Sequence, residues 1–200
     1  MANVSKPCGL KPVSYLNGSP YNGQARLYAI DASQAALYVG DPVTLVASST
    51  NAQGLANIGI GVAGSAIIGV IVGFPVATAG VSLVGTTIDL TRRSNAASTA
   101  GYALVCDDPN VIFEVQDGLA AGTPLADIGQ NTNFLIAAGA TIYSDSGTTS
   151  AATTTGGTTD NLKILGFAQR EDNTPAAQYA KLLVKINNHV YGASTGTAAI

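Results

Sequence analysis

The side chains able to do chemistry in this chain are few: one His, two Cys and a run of carboxylates at 107–117. Nucleophilic catalysis through a hydroxyl or thiol would need an imidazole base, and only His189 could supply it. His189 follows Asn187-Asn188 at the predicted end of a strand, where a surface or strand-terminal histidine without a catalytic role is the commoner explanation. A zinc site would need His189, both cysteines and a carboxylate to converge from distant positions, and no spacing indicates this.

The acidic run begins with Asp107-Asp108-Pro109-Asn110. These residues could place oxygens around Ca²⁺, because hard cations take Asp and Asn oxygens from tight turns. They also suit a β-turn, in which proline sets φ and an Asp side chain bonds the local backbone, and we favour the turn. Paired carboxylates of a glycosidase would need aromatic sugar platforms, and the chain has no Trp. We therefore expect no catalytic residue, no metal and no cofactor, and hence not an enzyme.

Charge is sparse and slightly negative. Nine basic and twelve acidic residues give a net charge of -3, and charged residues make up 10% of the chain. No long-range field is available to gather phosphates or an anionic membrane. The basic residues are dispersed along the sequence, with Arg92-Arg93 as the adjacent pair, so no basic patch can be identified. We expect no direct nucleic-acid partner and no membrane partner.

Leu55–Val76 carries no charge and is long enough to cross a bilayer. However, it contains five glycines, Asn57, Ser65 and Pro75, and β-branched, Gly-rich runs suit buried strands better. The sequence favours strands here.

Cys8 and Cys106 show neither CxxC spacing nor the density of a disulfide framework. Two free thiols in a reducing compartment are expected. A Cys8–Cys106 disulfide that pins the N-terminus to the body remains the alternative.

Residues 1–23 are predicted to form an extended N-terminal arm. Pro7, Pro12 and Pro20 remove backbone donors, and Asn17-Gly18 and Asn22-Gly23 are turn dipeptides, so a helix is excluded.

Residues 24–191 are predicted to form one all-β domain, because short apolar runs alternate with turn signals and no stripe of helical period is sustained. An antiparallel, jelly-roll-like sandwich or barrel fits this spacing.

Within the domain, Asp31–Ala36 could add one helical turn. Residues 144–159 are Ser/Thr-rich and predicted to be a loop, and 192–200 a tail. The predicted strands are Gln24–Ile30, Val43–Ala47, Ile58–Val62, Ala66–Phe74, Val81–Leu90, Tyr102–Cys106, Val111–Gln116, Ala140–Ser144, Asn161–Gln169 and Ala180–Ile186.

A weak internal sequence repeat links the two halves of the chain. Gly40–Leu45 followed by Ile67–Val70 (IIGV) matches Gly139–Tyr143 followed by Ile164–Phe167 (ILGF), with similar gaps between the two parts. Common ancestry of the halves is one explanation, and chance similarity is the other.

Four motifs of the sequence belong together: Gly40-Asp41-Pro42-Val43, Asp108–Gln116 (DPNVIFEVQ), Ile128-Gly129-Gln130-Asn131 and Ile164–Ala168 (ILGFA). Together they resemble the head decoration, or cement, proteins of tailed bacteriophages. None of them is a catalytic signature, and the similarity spans most of Tyr28–Tyr191.

The resemblance implies a β-rich, jelly-roll-like body, usually trimeric, on the outer surface of a capsid. Such a protein is made in the host cytoplasm and stabilises the shell by bridging subunits of the major capsid protein. Arm residues would act as clasps and Arg92-Arg93 could pair with a partner's carboxylates. A tail or adhesin module that binds host glycans is the alternative. The expected partner contacts are Val4, Lys6, Lys11, Tyr15, Tyr21, Arg92 and Arg93.

Overall fold

Thirteen strands and one 3₁₀ turn, Leu125–Asp127, account for the regular structure of the described residues. A computed structural model of the chain describes residues 3–76, 88–139, 145–154 and 156–192. The strands are β1 Lys11–Tyr15, β2 Arg26–Ile30, β3 Leu37–Tyr38, β4 Pro42–Thr50, β5 Ala56–Ile60, β6 Gly69–Gly73, β7 Ser94–Asn95, β8 Gly101–Cys106, β9 Val111–Gln116, β10 Asn131–Leu135, β11 Thr149–Thr154, β12 Leu162–Phe167 and β13 Lys181–Ile186.

The first half of the chain forms a closed five-stranded barrel in the order β2-β5-β4-β6-β8. All of its pairs are antiparallel except β2 with β5. Closure leaves no exposed edge along the ring. Buried apolar side chains such as Ile58 and Phe74 fill the barrel core.

The second half forms an antiparallel six-stranded sheet in the order β1-β9-β13-β12-β10-β11. Along β9 and β13 buried and half-buried residues alternate, as expected of strands with one face on a core. A sheet core that includes Phe113 and Leu182 lies beneath this face.

The two cores meet through the barrel strands β6 and β8. Cys106 packs in the sheet core, whereas its neighbour Val105 packs in the barrel core. The same division holds in β6 and in the residues just before it. Ile67 and Val70 face the sheet core, whereas Ile68 and Ile71 face the barrel core. Successive side chains of a strand point to opposite faces, so these strands are buried on both sides.

Both halves connect their strands in the same order. In the barrel, β4 pairs with β5 and β6, β6 with β8, β8 with β2, and β2 lies beside β5. In the second half, β10 pairs with β11 and β12, β12 with β13, and β13 with β9. Beyond the end of β9, the Gly118 N–H donates to Ser150 Oγ of β11 at 3.2 Å, which corresponds to the contact of β2 with β5.

A β-bulge occurs at the same place in each half. The register of β6 with β8 shifts between Ile71 and Gly73, and that of β12 with β13 shifts between Ile164 and Gly166. The matching segments are therefore Ile71–Phe74 (IVGF) and Ile164–Phe167 (ILGF). The sequence had instead matched Ile164–Phe167 with Ile67–Val70, a segment that lies four residues before Ile71–Phe74.

The all-β prediction with antiparallel sheets is confirmed, and a barrel is present. β9 occurs at the predicted boundaries, and seven other predicted strands overlap β2, β4, β5, β6, β8, β12 and β13. Most of Val81–Leu90, all of Ala140–Ser144 and residues 193–200 lie outside the described residues. The boundaries proposed for arm, body and tail stay predictions.

Two local predictions are wrong. Residues 149–154 within the predicted Ser/Thr loop form β11, because threonine suits a strand. Asp31–Ala36 contains no helix: the Asp31 Oδ1 accepts the Ser33 N–H at 2.7 Å, which closes a turn instead.

Residues 3–23 run along their own body. β1 pairs with β9 at the edge of the sheet, and the chain then turns back so that the Tyr21 N–H donates to the Val13 carbonyl at 3.1 Å. Leu10 is buried in the sheet core. An arm that reaches a neighbouring molecule stays a prediction.

Candidate functional site

An open cleft of about 850 Å³ lies where the N-terminal segment meets the barrel and the six-stranded sheet. One part of its lining comes from the N-terminal segment, and another from the barrel residues Val39, Gly40, Ile71 and Val72. The remainder is contributed by Arg93, Asp145, Glu114 of β9, Lys181 of β13, and the segment 170–179: Arg170, Asp172, Asn173 and Tyr179.

Glycine positions the N-terminal segment against the barrel. Gly9 and Gly40 have φ of 70° and 96°, and a Cβ on either would overlap backbone atoms of the other's segment. The Leu10 N–H donates to the Gly40 carbonyl at 2.9 Å across this approach. Closer to the N-terminus, the Lys6 N–H donates to Gln116 Oε1 at 2.7 Å.

The cleft brings together five of the seven residues predicted as partner contacts: Val4, Lys6, Lys11, Tyr21 and Arg93. Val4 is 73% exposed, and both lysines are exposed. Tyr21 is half-buried and packs against the sheet core.

The other two predicted contacts lie elsewhere. The Tyr15 ring lies beside the Tyr21 ring, with centroids 6.0 Å apart and planes tilted by 42°, and Tyr15 is also half-buried against the sheet core. The Arg92 guanidinium lies 5.2 Å from the centroid of the Phe74 ring, and its Nε donates to the Ser94 carbonyl at 3.2 Å. These contacts give Arg92 a role in holding β7 against the barrel.

Charged side chains surround the cleft, although the sequence showed no basic patch. Two ion-pair groups fix part of the lining: the Arg93 Nε is 2.7 Å from Asp145 Oδ1, and Arg170 contacts Glu114 at 2.8 Å and Asp172 at 3.1 Å. The remaining cations of the lining are Lys6, Lys11 and Lys181.

Lys181 occupies the partly buried side of the cleft. Its Nζ donates to Gln116 Oε1 at 2.6 Å and to the Lys6 carbonyl at 3.3 Å. Burial lowers the pKa of Lys181, which nearby Glu114 partly offsets. Burial also raises the pKa of the Cys8 thiol, so this thiol is a weak nucleophile.

Sequence reasoning missed Lys181, Arg170, Glu114 and Asp145 as members of the site. They stand on separate elements, and the register of the sheet brings them together. Lys181 and Lys185 alternate with buried residues along β13, which places both on its half-buried face.

His189 is 1% exposed and lies just beyond the end of β13, so of the two expected positions the strand-terminal one is confirmed and the surface one is wrong. Its Nδ1 accepts the Tyr191 N–H at 3.0 Å, and burial lowers its pKa. Cys106 is buried as well, and burial raises its pKa to about 11. Both cysteines are free, which confirms the prediction of two thiols over a disulfide.

The Asp107–Asn110 segment forms the predicted turn. Asp108 Oδ1 accepts the Asn110 N–H at 2.8 Å, and Asp107 accepts the Tyr28 hydroxyl at 2.7 Å. Among the residues with described positions, no group of three His, Cys, Asp or Glu side chains is placed to hold a metal ion. None of the helical structure in the described ranges has the length and apolarity that crossing a bilayer demands.

Comparison with known proteins found no match: no family model, curated protein or solved structure is similar to this chain.

Proposed function

We propose that this chain is a structural protein of a bacteriophage virion. It binds the outer surface of the capsid, bridges subunits of the major capsid protein and carries out no catalysis. The observation that carries the proposal is the gathering of five of the seven predicted partner contacts around one open cleft. The four sequence motifs that resemble head decoration proteins supply the class of partner.

Binding to the capsid by many weak contacts suits the surface of this protein. A homotrimer that engages three sites gains from effective concentration, so each contact can be weak. Low surface charge lets copies sit side by side with little repulsion. The jelly-roll-like organisation and the clasping arm are further parts of this proposal. Since Leu10 is buried, the clasp would use the exposed side chains that flank it, including Val4, Lys6 and Lys11.

Reconstitution with capsids tests the proposal. Purified protein is mixed with capsids that lack decoration, the particles are sedimented, and the ratio of bound protein to coat protein is measured together with the native oligomer mass. We expect saturation at a fixed ratio and a trimer. A monomer that stays in the supernatant at all concentrations would refute the proposal. Binding to host cells but not to capsids would instead support the glycan-binding alternative.

A further inference from the structure

We propose that the cleft binds an extended, carboxylate-bearing segment of a partner protein. That the partner is a capsid subunit rests on the proposed function above, whereas the chemistry of the segment rests on the cleft alone.

The cleft is the cationic region of an acidic protein. Five of the nine basic residues of the chain line it, but only three of the twelve acidic residues do. The rest of the molecule therefore has an excess of carboxylates. A concave surface concentrates such a local field and attracts a ligand of opposite charge.

Three of the five cations have no carboxylate partner within the described ranges. Arg93 and Arg170 already form ion pairs with residues of the cleft. Lys6 and Lys11 form no ion pair with any described residue, and the hydrogen bonds of Lys181 go to amide and carbonyl oxygens. A carboxylate entering the cleft would meet three ammonium groups that form no ion pair with a described residue, and it would not have to displace another carboxylate from them.

Apolar lining favours a peptide over a nucleic acid. Val4, Val39, Val72 and Tyr21 offer apolar contacts beside the lysines. A peptide with alternating acidic and apolar side chains can use both kinds of contact. The volume of about 850 Å³ lies within the range of known ligand sites, which supports a segment of a few residues.

A nucleic acid would gain less from the same surface. Its continuous phosphates would face the carboxylates of Glu114, Asp145 and Asp172, which share the cleft. Repulsion by these groups offsets the attraction to the lysines, and sequence-independent phosphate binding depends on uncompensated positive charge.

The first test is titration of the full-length protein with synthetic probes. The probes are a capped pentapeptide of alternating glutamate and valine, its glutamine counterpart, and a short oligothymidylate. We expect the glutamate peptide alone to bind, with affinity that falls as salt rises. The double variant K6Q/K11Q should bind roughly fivefold more weakly or worse, as expected from the loss of two exposed ion pairs.

The control is K185Q, which removes the positive charge of a lysine that lies outside the cleft. Its affinity should equal that of the wild type. Cys8 supplies a second readout, because it lines the cleft while Cys106 is buried. The glutamate peptide should slow alkylation of Cys8 in both the wild type and K185Q.

Several outcomes overturn the inference: equal binding of the glutamine peptide, unchanged affinity of K6Q/K11Q, no binding of either peptide, or preferential binding of the oligonucleotide. Capsid binding separates this inference from the proposed function. If capsids take up K6Q/K11Q as well as the wild type, the cleft is not the contact but the proposed function stands. If the peptide binds as described and capsids do not, the proposed function fails and the cleft assignment stands.

Discussion

Asp41 is a buried carboxyl group whose ionisation works against folding. It is 2% exposed, and burial raises its pKa to about 6 despite hydrogen bonds from the Tyr38 N–H and from the Ser146 and Thr148 hydroxyls. The folded state therefore binds more protons than the unfolded state between about pH 4 and pH 6. By linkage, the contribution of Asp41 to stability is full below pH 4 and is lost as pH rises through 6.

The variant D41N tests this linkage, because an amide resembles the protonated carboxyl group. Relative to the wild type, we expect D41N to be equally stable near pH 4 and more stable near pH 7.5. The difference should be up to about 3 kcal/mol, from roughly two pKa units. Urea unfolding at several pH values measures it. A stability difference that does not change with pH would contradict the buried-carboxyl explanation.

His189 shows the opposite pH dependence. Its pKa is lowered because burial disfavours the imidazolium, although Asp107 and Asp108 partly offset this. The unfolded state binds the proton first, so this contribution to stability is lost as pH falls below about 6.5. The chain has one histidine, so its imidazole resonances can be followed by NMR without assignment.

We expect the titration midpoint of His189 to lie below 6.5. We also expect the neutral ring to carry its proton on Nε2, since Nδ1 accepts the Tyr191 N–H. A midpoint at or above 6.5 would show that the imidazole is accessible to solvent. The variant H189Q should remove the corresponding loss of stability between pH 6.5 and the folded midpoint.

At the scale of elements, the approach of the N-terminal segment to the barrel depends on Gly9. This residue has φ of 70°, and a Cβ here would overlap the Gly40 carbonyl. Gly18 is a matched control, because its φ is 88° but no atom lies within 4 Å of the Cβ position. G18A should cost about 1 kcal/mol in the free energy of unfolding, from backbone strain alone.

G9A should cost at least twice as much as G18A, because steric overlap adds to the same strain. Chemical denaturation of both variants measures the difference. Faster alkylation of Cys8 in G9A would show that the segment has moved away from Gly40. Equal costs for the two variants would mean that the close approach contributes nothing to stability.

The strands that sequence missed have physical reasons in common. β1 contains Pro12, and prolines predicted an arm, yet proline is tolerated here because β1 lies at the sheet edge. β10 begins with Asn131-Thr132-Asn133, which is typical of a loop. By contrast, β9 alternates buried and half-buried residues between clear turn signals and was predicted at its observed boundaries. A proline-containing edge strand and an interior strand with a polar start thus both escape a pattern that detects strands by their apolar face.

At the scale of the whole molecule, the cleft could not be predicted because its members are separated in sequence. Lys6 and Lys181 lie at opposite ends of the chain and meet because β1 and β13 both pair with β9. The sequence revealed candidate contacts in the N-terminal segment, but only this register shows which cations join them. The sequence identified Ile164–Phe167 as one copy of the internal repeat, but only the strand pairing identifies Ile71–Phe74 as the other copy.

The barrel and the six-stranded sheet should unfold together, because β6 and β8 contribute side chains to the cores of both. Ile67 and Ile68 are adjacent and fully buried, but Ile67 faces the sheet core and Ile68 the barrel core. Replacing either with alanine should cost about 2–5 kcal/mol. Because β6 and β8 belong to both cores, we expect each variant to lower one common transition, and to reduce amide-exchange protection in the strands of both halves.

Hydrogen exchange with mass spectrometry distinguishes this from independent folding. If the halves were separate cooperative units, I67A would reduce protection in β9 and β13 alone and I68A in β2 and β5 alone, with two transitions on denaturation. Coupling of the two cores through β6 and β8 predicts equal effects on both sets of strands. If the protein reinforces a capsid, as proposed above, such coupling would let the cores of both halves resist a force applied to either half.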